Sequence, residues 1–264
     1  MHSTSSTGSR GQYGAWGAVG SLRDVGILGV VGGHSILGTG DDAAFPGQAR
    51  RRPAHGMAGP VTILDGGAYV VLQRHGLDHY TPADRVDHVQ NLTALRAVGC
   101  DRVLALSSVG ALRTELGVGT HVVPDDFIAL DGLPTSVHGD EGSHVVPGFT
   151  GPWRARLLEC WQRAAGGAVV DGGVYWQSNG PRFETAAEIR LMASFADVVG
   201  MTVGTECTVA NELGLDYAAV CVVDNLANGL DTDPLTPDEF AAGKQANQAH
   251  LLAVLAAVVT ELAP

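Results

Sequence analysis

Five short strings in this chain of 264 residues set polar or small side chains where an apolar run ends. Three of them, Val30-Val31-Gly32-Gly33-His34-Ser35, Ala105-Leu106-Ser107-Ser108-Val109-Gly110 and Val199-Gly200-Met201-Thr202, carry glycines and hydroxyls after β-rich segments. Ligands of open α/β sheets gather at such strand ends, because backbone N–H groups and hydroxyls converge there on an anion. Taken one at a time, Gly-Gly and Ser-Ser pairs also mark plain turns. The fourth string, Val70-Val71-Leu72-Gln73-Arg74-His75-Gly76, adds the cation that a hydroxyl-lined pocket lacks. Arg74 can grip a phosphate through two parallel bonds and His75 can donate to the same anion, although an edge arginine solvated at the surface fits the same letters. The fifth, Ser178-Asn179-Gly180-Pro181-Arg182-Phe183-Glu184-Thr185, is the most informative. Gly-Pro fixes a tight turn, and after it come a ring able to stack on a flat heterocycle and a carboxylate able to accept from a ring N–H. Residue by residue, Phe183 also reads as core and Glu184 as a helix-start residue.

Such strings do chemistry only on a scaffold that brings them together. Strand-like runs at residues 25–31, 69–73, 103–107, 121–123, 173–177, 198–201 and 218–223 alternate with helix-length segments. That alternation is the pattern of an α/β sheet covered on both faces. Helical periodicity covers residues 86–98, ending at Gly99, and 153–165, ending at Gly166-Gly167, and recurs at 186–194 and 206–213. The last helix opens at Thr236-Pro237-Asp238-Glu239, with a capping Thr, a Pro in the first turn and two acids near the positive end of the dipole. The Gly/Pro-rich stretch 38–60 reads as an inserted surface loop, and its triplet Arg50-Arg51-Arg52 as solvated. With no repeat and no linker, residues 23–264 read as one domain, preceded by a disordered Ser/Gly-rich leader over 1–22.

With 45% apolar residues the chain can bury one large core. Its formal net charge of −12 disfavours a nucleic-acid partner, which clustered Lys and Arg would have to grip. Cys100, Cys160, Cys207 and Cys221 lie far apart with no metal-ligand spacing, so neither a disulfide framework nor a structural metal is expected. No apolar run reaches membrane-span length and no signal peptide is apparent, so a cytoplasmic protein is expected.

In order and in register, these strings resemble the purine nucleoside phosphorylase and methylthioadenosine phosphorylase family, in its trimeric branch. The resemblance runs from Val25 to the last helix through Gly32-Gly33, Arg74-His75-Gly76, the helix around Asn91, Ser108-Val109-Gly110, the Gly180 to Thr185 string and Val199 to Thr202 followed by Glu206. It implies the nucleoside phosphorylase fold, a central mixed twisted sheet with helices on both faces. It also implies a phosphate cradle of Arg74, His75, Ser107 or Ser108 and Thr202, with Met201 under the ribose and Val109 and Gly110 beside the nucleoside. Phe183 would stack on the base, Glu184 would accept from the purine N-1 hydrogen, and Asn225 would serve N-7 and the 6-oxo group. Those two residues match the 6-oxopurine enzymes, whereas the adenine-preferring ones tend to Ser and Asp. His34 followed by Ser35 stands where a phosphate-binding Thr or Ser is usual, so that a protonated imidazole or the Ser35 hydroxyl would have to serve the phosphate. Asp224 before Asn225, also unusual, would contact the base, alter its protonation or cap a loop. An apolar Leu235 stands where a His meets the 5′-hydroxyl in better-known members. The branch further implies a homotrimer, or a hexamer built as a dimer of trimers, with His144, or failing that Phe149, donated to a neighbour's site. Inorganic phosphate is the expected co-substrate, with no other cofactor and no metal. Replacing Arg74 should weaken phosphate use with the fold intact. Three other outcomes suit the same letters: a methylthioadenosine phosphorylase, a phosphate-independent nucleosidase and a purine-binding protein.

Overall fold

The computed structural model describes residues 26–33, 36, 49–77, 79–130, 136–167, 169–231 and 236–263. In chain order the elements are β1 (Ile27–Gly32), β2 (Arg50–Gly56), β3 (Gly59–Asp65), β4 (Tyr69–Gln73), α1 (His88–Ala97), β5 (Cys100–Ala111), β6 (His121–Val123), β7 (Asp126–Ile128), α2 (Gly151–Ala165), β8 (Val169–Asp171), β9 (Val174–Gln177), α3 (Ala186–Met192), β10 (Val198–Gly200), α4 (Val203–Glu212), β11 (Asp216–Leu226) and α5 (Pro237–Leu262). The strands form one mixed sheet in the order β2-β3-β4-β1-β5-β10-β9-β7, and β11, β6 and β8 branch from β5.

β5 and β11 are buried over nearly their whole length, the continuous apolar pattern of strands covered on both faces. Period-two alternation divides their side chains between two layers. Ala218, Val220 and Val222 join Trp153, Leu157 and Trp161 of α2 and Leu251, Leu255 and Val258 of α5. Tyr217, Ala219, Cys221 and Val223 join Leu92 and Leu95 of α1 and Val203, Cys207 and Ala210 of α4. The fold expected from the sequence, a mixed sheet with helices on both faces, is the one observed. All four cysteines are buried free thiols; burial pushes Cys100 and Cys207 up to about 12. No described helix is long and apolar enough to cross a membrane.

The stretch read as a surface loop is corrected in its second half. Residues 50–56 are strand β2, paired antiparallel with β3 from Arg50↔Asp65 to Gly56↔Gly59. The three arginines hide it, because an edge strand needs no alternating apolar pattern on its open side. Arg52 is not free in solvent but pairs with Asp65 across the hairpin, while Ala54 is buried beneath. The short strands β7 and β8 are likewise not legible in the sequence. The leader over 1–22 lies outside the described residues.

Candidate active site

One edge of β5 is taken by β11 from residue 102 to 111. The other edge is shared: β1 pairs with residues 100–105 in parallel, and β10 pairs antiparallel with Gly110 and Ala111. Among the described residues, 106–109 therefore have no strand partner on that side, and the pocket opens where β1 ends and β10 begins. This is a topological switch point, where a parallel sheet leaves strand ends uncovered. The cleft encloses about 920 Å³ of non-atom space, part of it open to solvent, enough for a ligand of nucleoside size. Arg74, His75, Ser107, Ser108, Val109, Gly110, Phe183, Glu184, Met201, Thr202 and Asn225 all line it. The sequence points to all of them, from segments far apart in the chain.

At the inner end sits a buried charge network. Arg74 donates from Nε to Glu206 Oε1 at 2.7 Å, from Nη2 to Glu206 Oε2 at 2.8 Å, and from Nη1 to the Leu106 carbonyl at 2.6 Å. The side-on fork of the guanidinium is thus spent on Glu206, and one N–H on each terminal nitrogen remains for an anion. This changes the sequence reading, in which phosphate takes the fork. Burial alone would push the Glu206 carboxyl up; the Arg74 charge and hydrogen bonds, helped by His88, hold it well below the usual carboxylate range. Tyr217 donates its hydroxyl to Glu206 Oε2 at 2.8 Å, so the carboxylate has partners on both oxygens. Gly33 is required by this arrangement: a Cβ there would collide with Arg74 Nη1 and the Leu106 carbonyl. The Gly-Gly pair is therefore a close-approach device as well as a turn.

His75 Nδ1 lies 2.8 Å from the Thr81 carbonyl, which can only accept, so Nδ1 carries a proton. Donation from its other nitrogen to an anion then requires the imidazolium form. Tyr80 stacks on His75 with ring centroids 5.5 Å apart. Thr202 stands at the N-cap of α4 without using its hydroxyl as a cap. Gln177 Oε1 takes over that role, accepting from the Thr205 N–H at 2.9 Å, while the Tyr175 hydroxyl accepts from the Thr202 and Val203 N–H groups at 3.1 and 3.4 Å; the Thr202 hydroxyl is left to the cleft. Ser107 and Ser108 divide by strand parity: the Ser107 hydroxyl lies on the Tyr175 side, whereas Ser108 Oγ is buried beside Asp224. Ser108 brings its backbone, not its hydroxyl, to the cleft.

At the outer end the Gly180 to Thr185 string turns into α3. Thr185 caps that helix in a capping box with Glu188, and Arg182 pairs with Glu188, so the turn is pinned from both sides. Glu184 precedes the cap, 8% exposed, and accepts from the Ser178 hydroxyl. Phe183 is 38% exposed and meets Phe240 of α5 edge-on at 5.5 Å. Asn225 owes its direction to a β-bulge: Val223 pairs with Val109 and Asn225 with Gly110, so Asp224 is the extra residue. Without the bulge, Asn225 would fall out of register with Gly110. Its Nδ2 donates to the Leu226 carbonyl at 2.7 Å, leaving one amide N–H and the oxygen for a ligand.

Asp224 does not line the cleft, so direct contact with the base is not its role. It is 1% exposed and accepts from Asn247 Nδ2 of α5 at 2.8 Å, tying the bulge to the last helix. Burial pushes its carboxyl up, and Asn247, Ser108 and Lys244 offset this only in part. An acid raised in the fold costs stability when it ionises, so this contribution worsens as pH climbs from the ordinary carboxylate range through the raised value. Asp224→Asn keeps the acceptor for Asn247. It is expected to raise the unfolding free energy on the order of 1 kcal/mol at pH 8, with no gain near pH 4. Thermal unfolding at both pH values checks this; an equal gain at both would remove ionisation as the cause.

His144 is exposed and does not line the cleft of its own chain, while Phe149 packs inward against Phe127 and Tyr217 at 6.0 and 6.2 Å. Phe149 is partly buried and packs against the core of its own chain. His34, Ser35 and Leu235 lie outside the described residues. Tyr80, Ala83, Pro181 and Phe240 also line the cleft, and sequence reading misses them in that role. Pro181 stands out only as a turn former, whereas Phe240 looks like any apolar residue of a helix.

The profile of the phosphorylase superfamily matches residues 28–260. A probable 6-oxopurine nucleoside phosphorylase of Archaeoglobus fulgidus is 38% identical over 199 residues, 75% of this chain and 82% of the relative. A probable S-methyl-5′-thioinosine phosphorylase of Methanosarcina acetivorans is 37% identical over 205 residues, 76% of this chain and 78% of the relative. Among solved structures, methylthioadenosine phosphorylase from Schistosoma mansoni in complex with adenine superposes with a TM-score of 0.76 at 23% identity, covering 90% of this chain and 92% of that one. With the matched profile running from the first strand into the last helix, the chain belongs to the phosphorylase superfamily and has the nucleoside phosphorylase fold.

Proposed function

We propose that the protein is a purine nucleoside phosphorylase, a pentosyltransferase that cleaves a 6-oxopurine nucleoside with phosphate. Inosine, guanosine and 5′-methylthioinosine are the candidate substrates. One observation carries the reading: Phe183, Glu184 and Asn225 share a single cleft with Arg74, His75 and Thr202. In the reaction a phosphate oxygen bonds to C1′ of the sugar as the C1′–N9 bond breaks. The products are the free base and ribose 1-phosphate, or its 5-methylthio analogue. Positive charge builds on the ribosyl ring and negative charge on the purine as the bond stretches. Phosphate answers the first, held by the two remaining Arg74 N–H groups, His75 in its imidazolium form, the Thr202 hydroxyl and open backbone of β5. Asn225 answers the second by donating to N-7, and Glu184 selects a base with a hydrogen on N-1. The names of the 38% and 37% identical relatives support this choice of base.

Release of free base with and without phosphate tests the reaction. Release only with phosphate is expected; equal release without it would identify a hydrolase, and no release from any nucleoside a binding protein. For base choice, kcat/KM for 5′-methylthioinosine is expected to exceed that for 5′-methylthioadenosine by about tenfold or more, the worth of a buried hydrogen bond to the base. A preference for the adenine nucleoside would reverse the assignment.

The protein is further expected to act as a cyclic trimer in the cytoplasm, with His144 completing the neighbour's site across a heterologous interface. Hydrogen bonds on both sides of His144 hold its segment firmly enough for that role. Ser136 Oγ and the Val137 N–H donate to Glu212 Oε2 at 3.0 and 2.7 Å, and the Gly148 N–H donates to Asn211 Oδ1 at 2.7 Å. An active monomer in light scattering would reject the trimer, and His144→Ala with unchanged nucleoside KM and kcat would reject the donated residue.

A further inference from the structure

Glu184 is anchored at both ends. Its Oε1 accepts from the Ser178 hydroxyl, and its backbone carbonyl accepts from Asn228 Nδ2 at 2.9 Å. Ser178 is itself fixed, because its N–H donates to the Gly200 carbonyl of β10 at 2.8 Å. Ser178 and Glu184 are only 6% and 8% exposed.

Glu184 also stands on a wall between two cavities. One is the cleft already described; the other is a polar one that Ser178, Asn179, Gly180 and Arg182 line with it. Ser178 borders only the second, so its bond holds Oε1 on that side. Among the described residues Oε2 accepts no hydrogen bond. A glutamate in such a wall has three side-chain torsions with which to swing its oxygens from one cavity to the other.

We propose that Ser178 is a positioning residue for base selection: by holding Oε1 it leaves Oε2 of Glu184 as a fixed acceptor for the N-1 hydrogen of a 6-oxopurine. This rests on the 6-oxopurine reading above. A 6-aminopurine presents a lone pair at N-1, which meets a fixed acceptor with repulsion rather than a bond. Once the hydroxyl is removed, the carboxylate can rotate toward the second cavity. The 6-oxopurine then loses its acceptor and the 6-aminopurine escapes the repulsion, so discrimination falls from both sides.

The test is the ratio of kcat/KM for 5′-methylthioinosine over 5′-methylthioadenosine in wild type and in Ser178→Ala, Ser178→Val and Ser178→Thr. The ratio is expected to fall about tenfold in the Ala and Val variants, as for a lost hydrogen bond to a charged group, and to be kept in Thr, which restores the hydroxyl at the volume of Val. If the hydroxyl served only the local fold, both nucleosides would lose kcat/KM together with the ratio unchanged, which overturns the proposal. A Thr variant as indiscriminate as Ala overturns it as well. A wild type without the 6-oxopurine preference fails the functional reading before any variant is made. A wild type with the preference and an Ala variant that keeps it fails the role of Ser178 alone.

Discussion

Glu206→Gln is expected to lower the unfolding free energy by about 3–5 kcal/mol, a fall in Tm of roughly 10 °C, because it strands the buried Arg74 charge. Both side chains are about 1% exposed, and Gln can offer the guanidinium one acceptor oxygen where the carboxylate offers two. The same change frees Arg74 to move, so the KM for phosphate should rise together with the loss of stability. The sequence alone makes Arg74 removable with the fold intact; the structure reverses that, since Arg74→Ala would leave Glu206 buried and unpaired but for His88 and Tyr217. Arg74→Met with Glu206→Leu separates the two roles. Replacing a buried pair by apolar groups of similar size restores much of the stability, while phosphate-dependent turnover should stay absent. Calorimetry and phosphate kinetics on the three variants decide it. A Glu206→Gln protein with wild-type Tm and wild-type phosphate KM would show that the pair contributes to neither stability nor phosphate binding.

Legibility in the sequence follows range. Strand β4 and the Gly180 to Thr185 string can be read because their signals, a short apolar run and a turn with its cap, are local. The strand ends at 106–109 and 199–202 can be read as sites for the same reason. What cannot be read needs two distant segments at once. Arg74 and Glu206 lie 132 positions apart, and nothing near Arg74 announces that its fork is already engaged. The β-bulge at Asp224 is invisible to period-two reading, which assumes that every residue advances the alternation by one step. Phe240 has the spacing of an ordinary helix residue, and only the docking of α5 brings it against Phe183.

The bulge matters most for turnover, because it aims the one side chain proposed to assist the leaving base. Asn225→Ala is expected to cut kcat for inosine or methylthioinosine by about 10²–10³, the usual loss when a donor to developing negative charge is removed. Nucleoside KM should change less, since the N-7 bond strengthens as the base departs. Stability should change little: Asn225 gives the fold one local bond, to the Leu226 carbonyl next to it. A control separates leaving-group assistance from mere positioning. A nucleoside methylated at N-7 already carries positive charge on its base and leaves neutral, with no need of a donor there. If Asn225 acts on the leaving group, the alanine variant should cleave that substrate nearly as well as the wild type does, while it fails on the unmethylated one. Equal losses on both would mean that Asn225 only holds the base in place. The assistance would then have to come from another donor in the cleft.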